Sequence, residues 1–285
     1  MVGLRAISSL LSVLITNLTL EQYNEYTGYI GASTKYNTDQ NLFKLVEMNY
    51  DDLNKRIEHY KILYVKDEQK MDFKEIEDLY LDINRLLLNF LSSVRTYLDH
   101  TETRLNRKYG EGSEQFKLFK RITGEAFDNF FAYKFLCKVR NYSQHCGLPS
   151  GSIEINSSGD KDGKTINTMN IFFVRDHLLE QFDWGTKVKP ELSSMDEKFD
   201  VLPFIDEKFR LVGGINKTIA TKELEEHKVA GNVLVDLLFE VEATGGIPCI
   251  YRIRGTKENP KLTFSWFPYN VISAITGVEV NIGYN

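Results

Sequence analysis

The stretch VRNYSQHCGLP, residues 139–149, places three polar side chains of complementary chemistry behind an apolar run. Asn141 directly follows Arg140, and His145 lies four positions further on. A guanidinium is permanently charged, whereas an imidazole titrates near neutral pH. The pair suits metal-independent RNA cleavage, because the imidazole can move protons at the 2′ and 5′ oxygens while the guanidinium holds the extra charge on phosphorus.

The end of a helix would position this group. The apolar spacing predicts a helix that ends near Gly147, since Pro149 prevents its continuation. At about 100° per residue, Asn141 and His145 fall on one stripe and Arg140 on the neighbouring one. The carbonyls of the last turn point outward and carry partial negative charge. An alternative stays open, because Arg and His near a helix C-terminus often serve only as partners of the helix dipole.

A second pair has similar spacing. Arg95 and His100 lie in VRTYLDH, with Asp99 and Glu102 flanking the histidine. They are candidates for a secondary site, since His100 or Glu102 would line the same cleft if this helix faced Asn141. The competing interpretation is that these residues form surface or interhelix ion pairs that contribute little.

The string RNYSQHCGLP resembles the signature of the HEPN family, in which arginine and histidine are four to six residues apart, often with asparagine after the arginine. HEPN domains are helical bundles, many of them metal-independent endoribonucleases that need no cofactor. The resemblance covers roughly residues 72–150. It implies that Arg140 and His145 are the catalytic pair, that Asn141 positions them or a phosphate, and that cleavage proceeds by 2′-OH attack to a cyclic phosphate.

The resemblance also implies partners. HEPN domains usually form homodimers, so that two motifs share one cleft, and many act as toxins or in anti-phage defence by cutting RNA. An antitoxin or another defence protein is therefore a candidate partner. Two alternatives remain open: a non-catalytic HEPN-like module that binds RNA or nucleotide or holds a dimer, and a structural subunit of a defence complex in which Arg140 and His145 only cap a helix.

Local charge favours a phosphate ligand. The chain as a whole has a net charge of −5, but residues 95–145 hold ten Lys or Arg against six Asp or Glu, a net charge of +4. Basic clusters of this kind attract nucleic-acid backbones, although a solvated helix face has the same composition. The candidate RNA-binding residues are Lys117, Lys120, Arg121, Lys134 and Lys138.

The pattern of elements predicts a mainly α protein with a minor β component. We expect an N-terminal segment of uncertain structure (1–70), with a turn-rich stretch at 27–41 and a helix near 41–62. A HEPN-like bundle (71–150) follows, with helices at 72–110, at 114–122 broken by Gly124, and up to Gly147. A mixed α+β part (151–285) has hairpins at 150–174 and 246–270 and helices at 174–184, 192–215 and 220–246.

Composition excludes several classes of protein. Apolar residues at 42% and charged residues at 26% are typical of a globular chain. Three scattered cysteines, Cys137, Cys146 and Cys249, predict free thiols rather than disulfides or a metal site. The first 20 residues are too polar to span a bilayer, although a weak signal peptide is an alternative. We expect a cytoplasmic protein without a membrane partner.

Overall fold

A computed structural model describes residues 2–7, 12–66, 72–149, 151–159, 165–242, 247–256 and 258–279. Eight helices occur among these residues: α1 (Leu20–Lys66), α2 (Phe73–Tyr109), α3 (Glu114–Asn129), α4 (Phe131–His145), α5 (Arg175–Gln181), α6 (Gly185–Ser193), α7 (Leu202–Glu242) and α8 (Tyr269–Thr276). Seven strands accompany them: β1 (Val2–Ile7), β2 (Ser12–Asn17), β3 (Ser152–Gly159), β4 (Thr165–Val174), β5 (Lys198–Asp200), β6 (Ile247–Gly255) and β7 (Pro260–Trp266). The chain is thus mainly helical with small antiparallel sheets, as predicted.

The chain divides into two compact units, one of residues 42–219 and one of residues 1–41 with 220–285. The division differs from the expected boundaries at 70 and 150. It arises because β1 pairs with β6, which joins the two ends of the chain in a sheet of order β2-β1-β6-β7. Both α1 and α7 contribute residues to both units.

The unit of residues 42–219 is built around α2, α3 and α4. Asp72 and Glu75 form a capping box at the start of α2, with bonds of 2.8 and 3.0 Å between side chain and backbone. Gly110, at φ 84°, ends this helix, and Ser113 caps α3. The apolar faces of these helices and the sheet β3-β4-β5 share one core, in which Phe90, Phe135 and Phe173 are fully buried.

The other unit packs its helical parts and its sheet around a smaller core. Its buried residues come from α1, α7, α8, the sheet and the segment between β7 and α8: Tyr23, Ile30, Leu234, Val235, Leu237, Leu238, Ile250, Phe267 and Ile272. The hairpin expected at 246–270 is present as β6 and β7. The short helix α8, which follows it, was not predicted.

Two glycine-based predictions are wrong. Residues 27–41 are helical, not turn-rich, and α3 continues through Gly124 to Asn129. Thr27 and Thr34 bond back to carbonyls four residues earlier, at 2.7 and 2.8 Å, so their hydroxyls are satisfied inside the helix. Glycine costs a helix only about 1 kcal/mol, which the buried side chains of the same helices outweigh.

The remaining elements follow the predicted pattern in part. The hairpin expected at 150–174 is present as β3 and β4, although most of its loop lies outside the described residues. The prediction of two separate helices at 192–215 and 220–246 is wrong. The strand β5 lies within the first range, and a single long helix, α7, continues from the first range into the second. No helix in the described ranges combines the length and apolar character that crossing a membrane requires.

Candidate functional site

Helix α4 carries the three residues of the motif. One face of the helix is buried, with Phe135, Leu136 and Val139 fully inaccessible. The opposite positions leave Arg140 half-buried and both Asn141 and His145 exposed. The apolar run before the motif therefore fixes the helix in the core and presents its polar end at the surface.

Gln181, the last residue of α5, holds the end of α4. The Tyr142 hydroxyl donates to Gln181 Oε1 at 2.8 Å, and the Cys146 thiol donates to the Gln181 carbonyl at 3.3 Å. Tyr142 is also buried against Phe182 and Trp184, which restricts the rotation of this turn. No local sequence pattern indicates Gln181, because its hydrogen bond to Tyr142 joins residues 39 positions apart.

A cleft of about 540 Å³ opens beside α4. Its walls come from α2, α3, α4 and α7, all within residues 42–219. The charged and amide side chains on these walls are Arg95, Asp99, Glu102, Lys120, Asp128, Lys138, Arg140, Asn141 and Lys208. Five cationic side chains thus share the cleft with three carboxylates.

Each of the three carboxylates is held by a cation other than Arg140. Asp99 pairs with Arg95 at 2.7 Å, and Glu102 pairs with Lys120 at 2.9 Å. The third, Asp128, accepts from Lys187 at 3.0 Å. Arg140 therefore faces carboxylates whose charge is already balanced.

The guanidinium of Arg140 has little else to bind in the described part of the chain. Its Nη1 donates to Asn141 Oδ1 at 3.4 Å, near the limit for a hydrogen bond. Its Nε is buried without a hydrogen-bond partner. A guanidinium matches both carboxylate and phosphate oxygens in charge and geometry, so an anion that enters the cleft is a suitable acceptor for Arg140.

His145 stands apart from this cleft. It is exposed at the last position of α4 and is not among the lining residues. Five helical residues turn through about 500° and advance about 7.5 Å, so the imidazole leaves the helix on a different side from Arg140. Within one chain, the structure brings together Arg140 and Asn141, whereas His145 lies outside the cleft.

The predicted basic residues fall into three groups. Lys120 and Lys138 line the cleft. Lys117 and Arg121 are exposed outside it and pair with Glu114 at 3.4 Å and with Glu125 at 3.3 Å.

Lys134 does not fit the expected basic surface. It is 6% exposed, and its Nζ lies 2.5 Å from Glu191 Oε1. The stripe of α4 that carries Lys134 and Lys138 turns toward α6 at its N-terminal end, which buries the first lysine. The prediction that Lys134 belongs to an RNA-binding surface is corrected: its side chain is buried and pairs with Glu191.

The second arginine–histidine pair is split. Arg95 and Glu102 line the cleft, but His100 is exposed on α2 and is not part of the lining. The ion pairs expected of this region are present, since Arg95 binds Asp99 and Glu102 binds Lys120 across α2 and α3.

Lys208 of α7 is the cleft residue that sequence reasoning missed. It is 1% exposed, its Nζ donates to the Tyr133 carbonyl at 3.0 Å, and it lies 3.0 Å from Cys137 Sγ. Burial lowers the pKa of this amine, since it disfavours the charged form, and burial raises the pKa of the Tyr133 hydroxyl in turn. No local pattern points to Lys208, because its partners are more than 70 residues away in sequence.

Comparison of the chain with protein-family models, curated proteins and solved structures gives no match. Nor do the described residues contain a group of three or more His, Cys, Asp or Glu side chains that could hold a metal ion. The function must therefore be inferred from the side chains that line the cleft.

Proposed function

We propose that this chain is a metal-independent endoribonuclease of the HEPN type, in which Arg140 binds the scissile phosphate and His145 transfers protons. The observation that carries the proposal is the Arg140 guanidinium, which lines a cationic cleft without a carboxylate partner in the described residues. Lys120, Lys138 and Asn141 extend the same surface and supply further donors for a nucleic-acid backbone.

The proposed reaction uses the 2′-OH of RNA as the nucleophile. An imidazole accepts the 2′ proton, the 2′ oxygen attacks phosphorus, and the 5′ oxygen leaves with a proton. The products are a 2′,3′-cyclic phosphate and a free 5′-OH. Arg140 stabilises the additional negative charge on the phosphoryl oxygens at the transition state.

A homodimer would supply the geometry that one chain lacks. Since His145 is not among the residues that line the Arg140 cleft, we propose that each catalytic site combines Arg140 of one copy with His145 of a second copy. Mixing inactive Arg140→Ala and His145→Ala proteins then restores one complete site in each mixed dimer. About a quarter of wild-type activity is expected for random exchange; a mixture that stays inactive would contradict the shared site.

The test of the proposal is RNA cleavage in EDTA by purified protein. Arg140→Ala and His145→Ala should each abolish cleavage of single-stranded RNA. Arg107→Ala and His59→Ala are matched controls, because both side chains are exposed, lie outside the cleft and are not among the candidate RNA-binding residues. Wild-type activity in both motif variants would refute the assignment, and a requirement for magnesium would refute the mechanism.

A second candidate is an RNA- or nucleotide-binding module without catalysis. The absence of His145 from the cleft lining favours it. In that case Arg140→Ala weakens RNA binding, His145→Ala does not, and neither wild type nor variants cut RNA in EDTA. RNA cleavage in EDTA distinguishes the two candidates, and fluorescence anisotropy with labelled RNA measures the binding that both of them predict.

If the chain is an endoribonuclease, we propose that its role in the cell is that of a toxin or an anti-phage effector. Its partner would then be an antitoxin or another defence protein. Expression of the wild-type chain should then slow bacterial growth, and the Arg140→Ala variant should relieve the effect at equal protein level. Equal growth inhibition by the wild type and the variant would show that toxicity does not depend on RNA cleavage.

A further inference from the structure

Lys208 and Cys137 form an unusual pair of nucleophiles on the wall of the cleft. The Nζ of Lys208 lies 3.0 Å from the Sγ of Cys137, and among the described residues no carboxylate pairs with this amine. The other contacts of Nζ are the Tyr133 carbonyl at 3.0 Å and the Tyr133 ring, whose centroid is 3.4 Å away. These contacts hold the amine beside the sulfur atom in a buried environment.

The two side chains differ in their access to solvent. Lys208 is 1% exposed, whereas Cys137 is half-buried and lines the cleft. A small oxidant can enter a cleft of about 540 Å³ and reach the thiol of Cys137. The Lys208 amine is more deeply buried and lies directly beside that thiol. Burial also lowers the pKa of Lys208, which increases the fraction of the neutral, nucleophilic amine.

We propose that Cys137 and Lys208 are an oxidant-dependent modification site, at which hydrogen peroxide produces a covalent sulfur–nitrogen cross-link between α4 and α7. In the first step the thiol attacks peroxide, the O–O bond breaks, and Cys137 becomes a sulfenic acid with release of water. In the second step the Lys208 nitrogen attacks sulfur, the S–O bond breaks, and the hydroxyl leaves as water with one amine proton. Sulfur is oxidised and peroxide is reduced, so no other reagent is needed.

The cross-link would act on the cleft described above. Cys137 precedes Arg140 by three residues and lies on the same side of α4, and both line the cleft. A bond from Cys137 to Lys208 would tie this wall of the cleft to α7 across 71 residues of sequence. The site depends on neither RNA cleavage nor the presence of a dimer.

Peptide mapping of the full-length protein tests the proposal. The reduced protein is treated with hydrogen peroxide, denatured, alkylated and digested without reductant, and the peptides are measured by mass spectrometry. We expect a linked pair that contains Cys137 and Lys208, lighter by two hydrogens than the separate peptides and released by dithiothreitol. Cys146→Ser is the matched control, because this thiol also belongs to the end of α4 but binds a carbonyl; it should keep the cross-link, and Cys137→Ser should lose it.

Lys208→Met provides a second readout. Without the amine, the sulfenic acid of Cys137 should persist and react with dimedone, whereas wild-type Cys137 should be labelled less. If Lys208→Met does not fold, the wild-type map and Cys137→Ser alone decide the question. Cys137 found unmodified after peroxide, oxidised further without a linked peptide, or joined to Cys146 in a disulfide would overturn the proposal.

Discussion

Replacement of Arg140 by alanine should separate ligand binding from folding. The structure gives the guanidinium one hydrogen bond, at 3.4 Å, and a buried Nε without a partner in the described residues. A bond of that length contributes little, and an unsatisfied buried donor is itself unfavourable. We therefore expect the free energy of unfolding to change by less than about 0.5 kcal/mol.

The same substitution should weaken RNA binding strongly. Hydrogen bonds to charged groups contribute about 1.5–3 kcal/mol, so loss of the phosphate contact should raise the Kd by about 10- to 150-fold. Arg140→Lys should recover part of this loss, because it keeps the charge but not the paired donors.

Urea unfolding and fluorescence anisotropy at one fixed salt concentration measure the two effects on the same samples. Arg107→Ala, which removes one exposed positive charge outside the cleft, is a suitable control for a general change of surface charge. A stability loss of about 2 kcal/mol or more with unchanged affinity would refute the reasoning, since it would make Arg140 a structural residue.

Three further outcomes follow from the described contacts. Glu191→Ala should destabilise the protein by about 1–2 kcal/mol in urea unfolding. The loss should exceed that of Lys134→Met, because Glu191→Ala leaves the Lys134 ammonium unpaired at 7% side-chain exposure. A larger loss for Lys134→Met would contradict the ion pair between Lys134 and Glu191. Burial lowers the pKa of Lys208 in the folded state, so the unfolded chain binds more protons and the free energy of unfolding should rise with pH below the ordinary lysine pKa. Urea denaturation from about pH 7 to 10 should show a smaller rise for Lys208→Met than for the wild type. Equal slopes for the two proteins would exclude Lys208 as the origin of the pH dependence. Glu102→Gln releases Lys120 from its 2.9 Å ion pair and should tighten RNA binding about two- to fivefold at low salt. About 0.5 M NaCl should largely remove this effect. Weaker RNA binding by Glu102→Gln would indicate that RNA does not bind in the cleft.

The elements closest to the motif were predictable because their signals are local. The capping box at Asp72 and Glu75 and the positive φ of Gly110 define α2, and the apolar spacing of α4 defines its buried face. Pairing of β3 with β4 and of β6 with β7 likewise joins segments that are close together in the sequence.

Contacts between distant segments were not predictable. Pairing of β1 with β6 joins residues such as Leu4 and Ile250, and no local pattern encodes it. Glycines at 28, 31 and 124 indicated breaks that tertiary packing overrides. Arg140 and Asn141 were found from their spacing, whereas the cleft around them required Lys208, a residue that only the packing of α7 brings to α4.

The chemical form of the RNA ends produced in EDTA tests the central claim most directly. The wild-type protein is incubated with a short RNA and with the same RNA carrying a single 2′-deoxy nucleotide at the scissile position, and the products are identified by mass spectrometry. The account predicts a 2′,3′-cyclic phosphate and a 5′-OH from the first substrate and no cleavage at the modified position of the second. Equal cleavage of both substrates, or products with a 5′-phosphate, would contradict it.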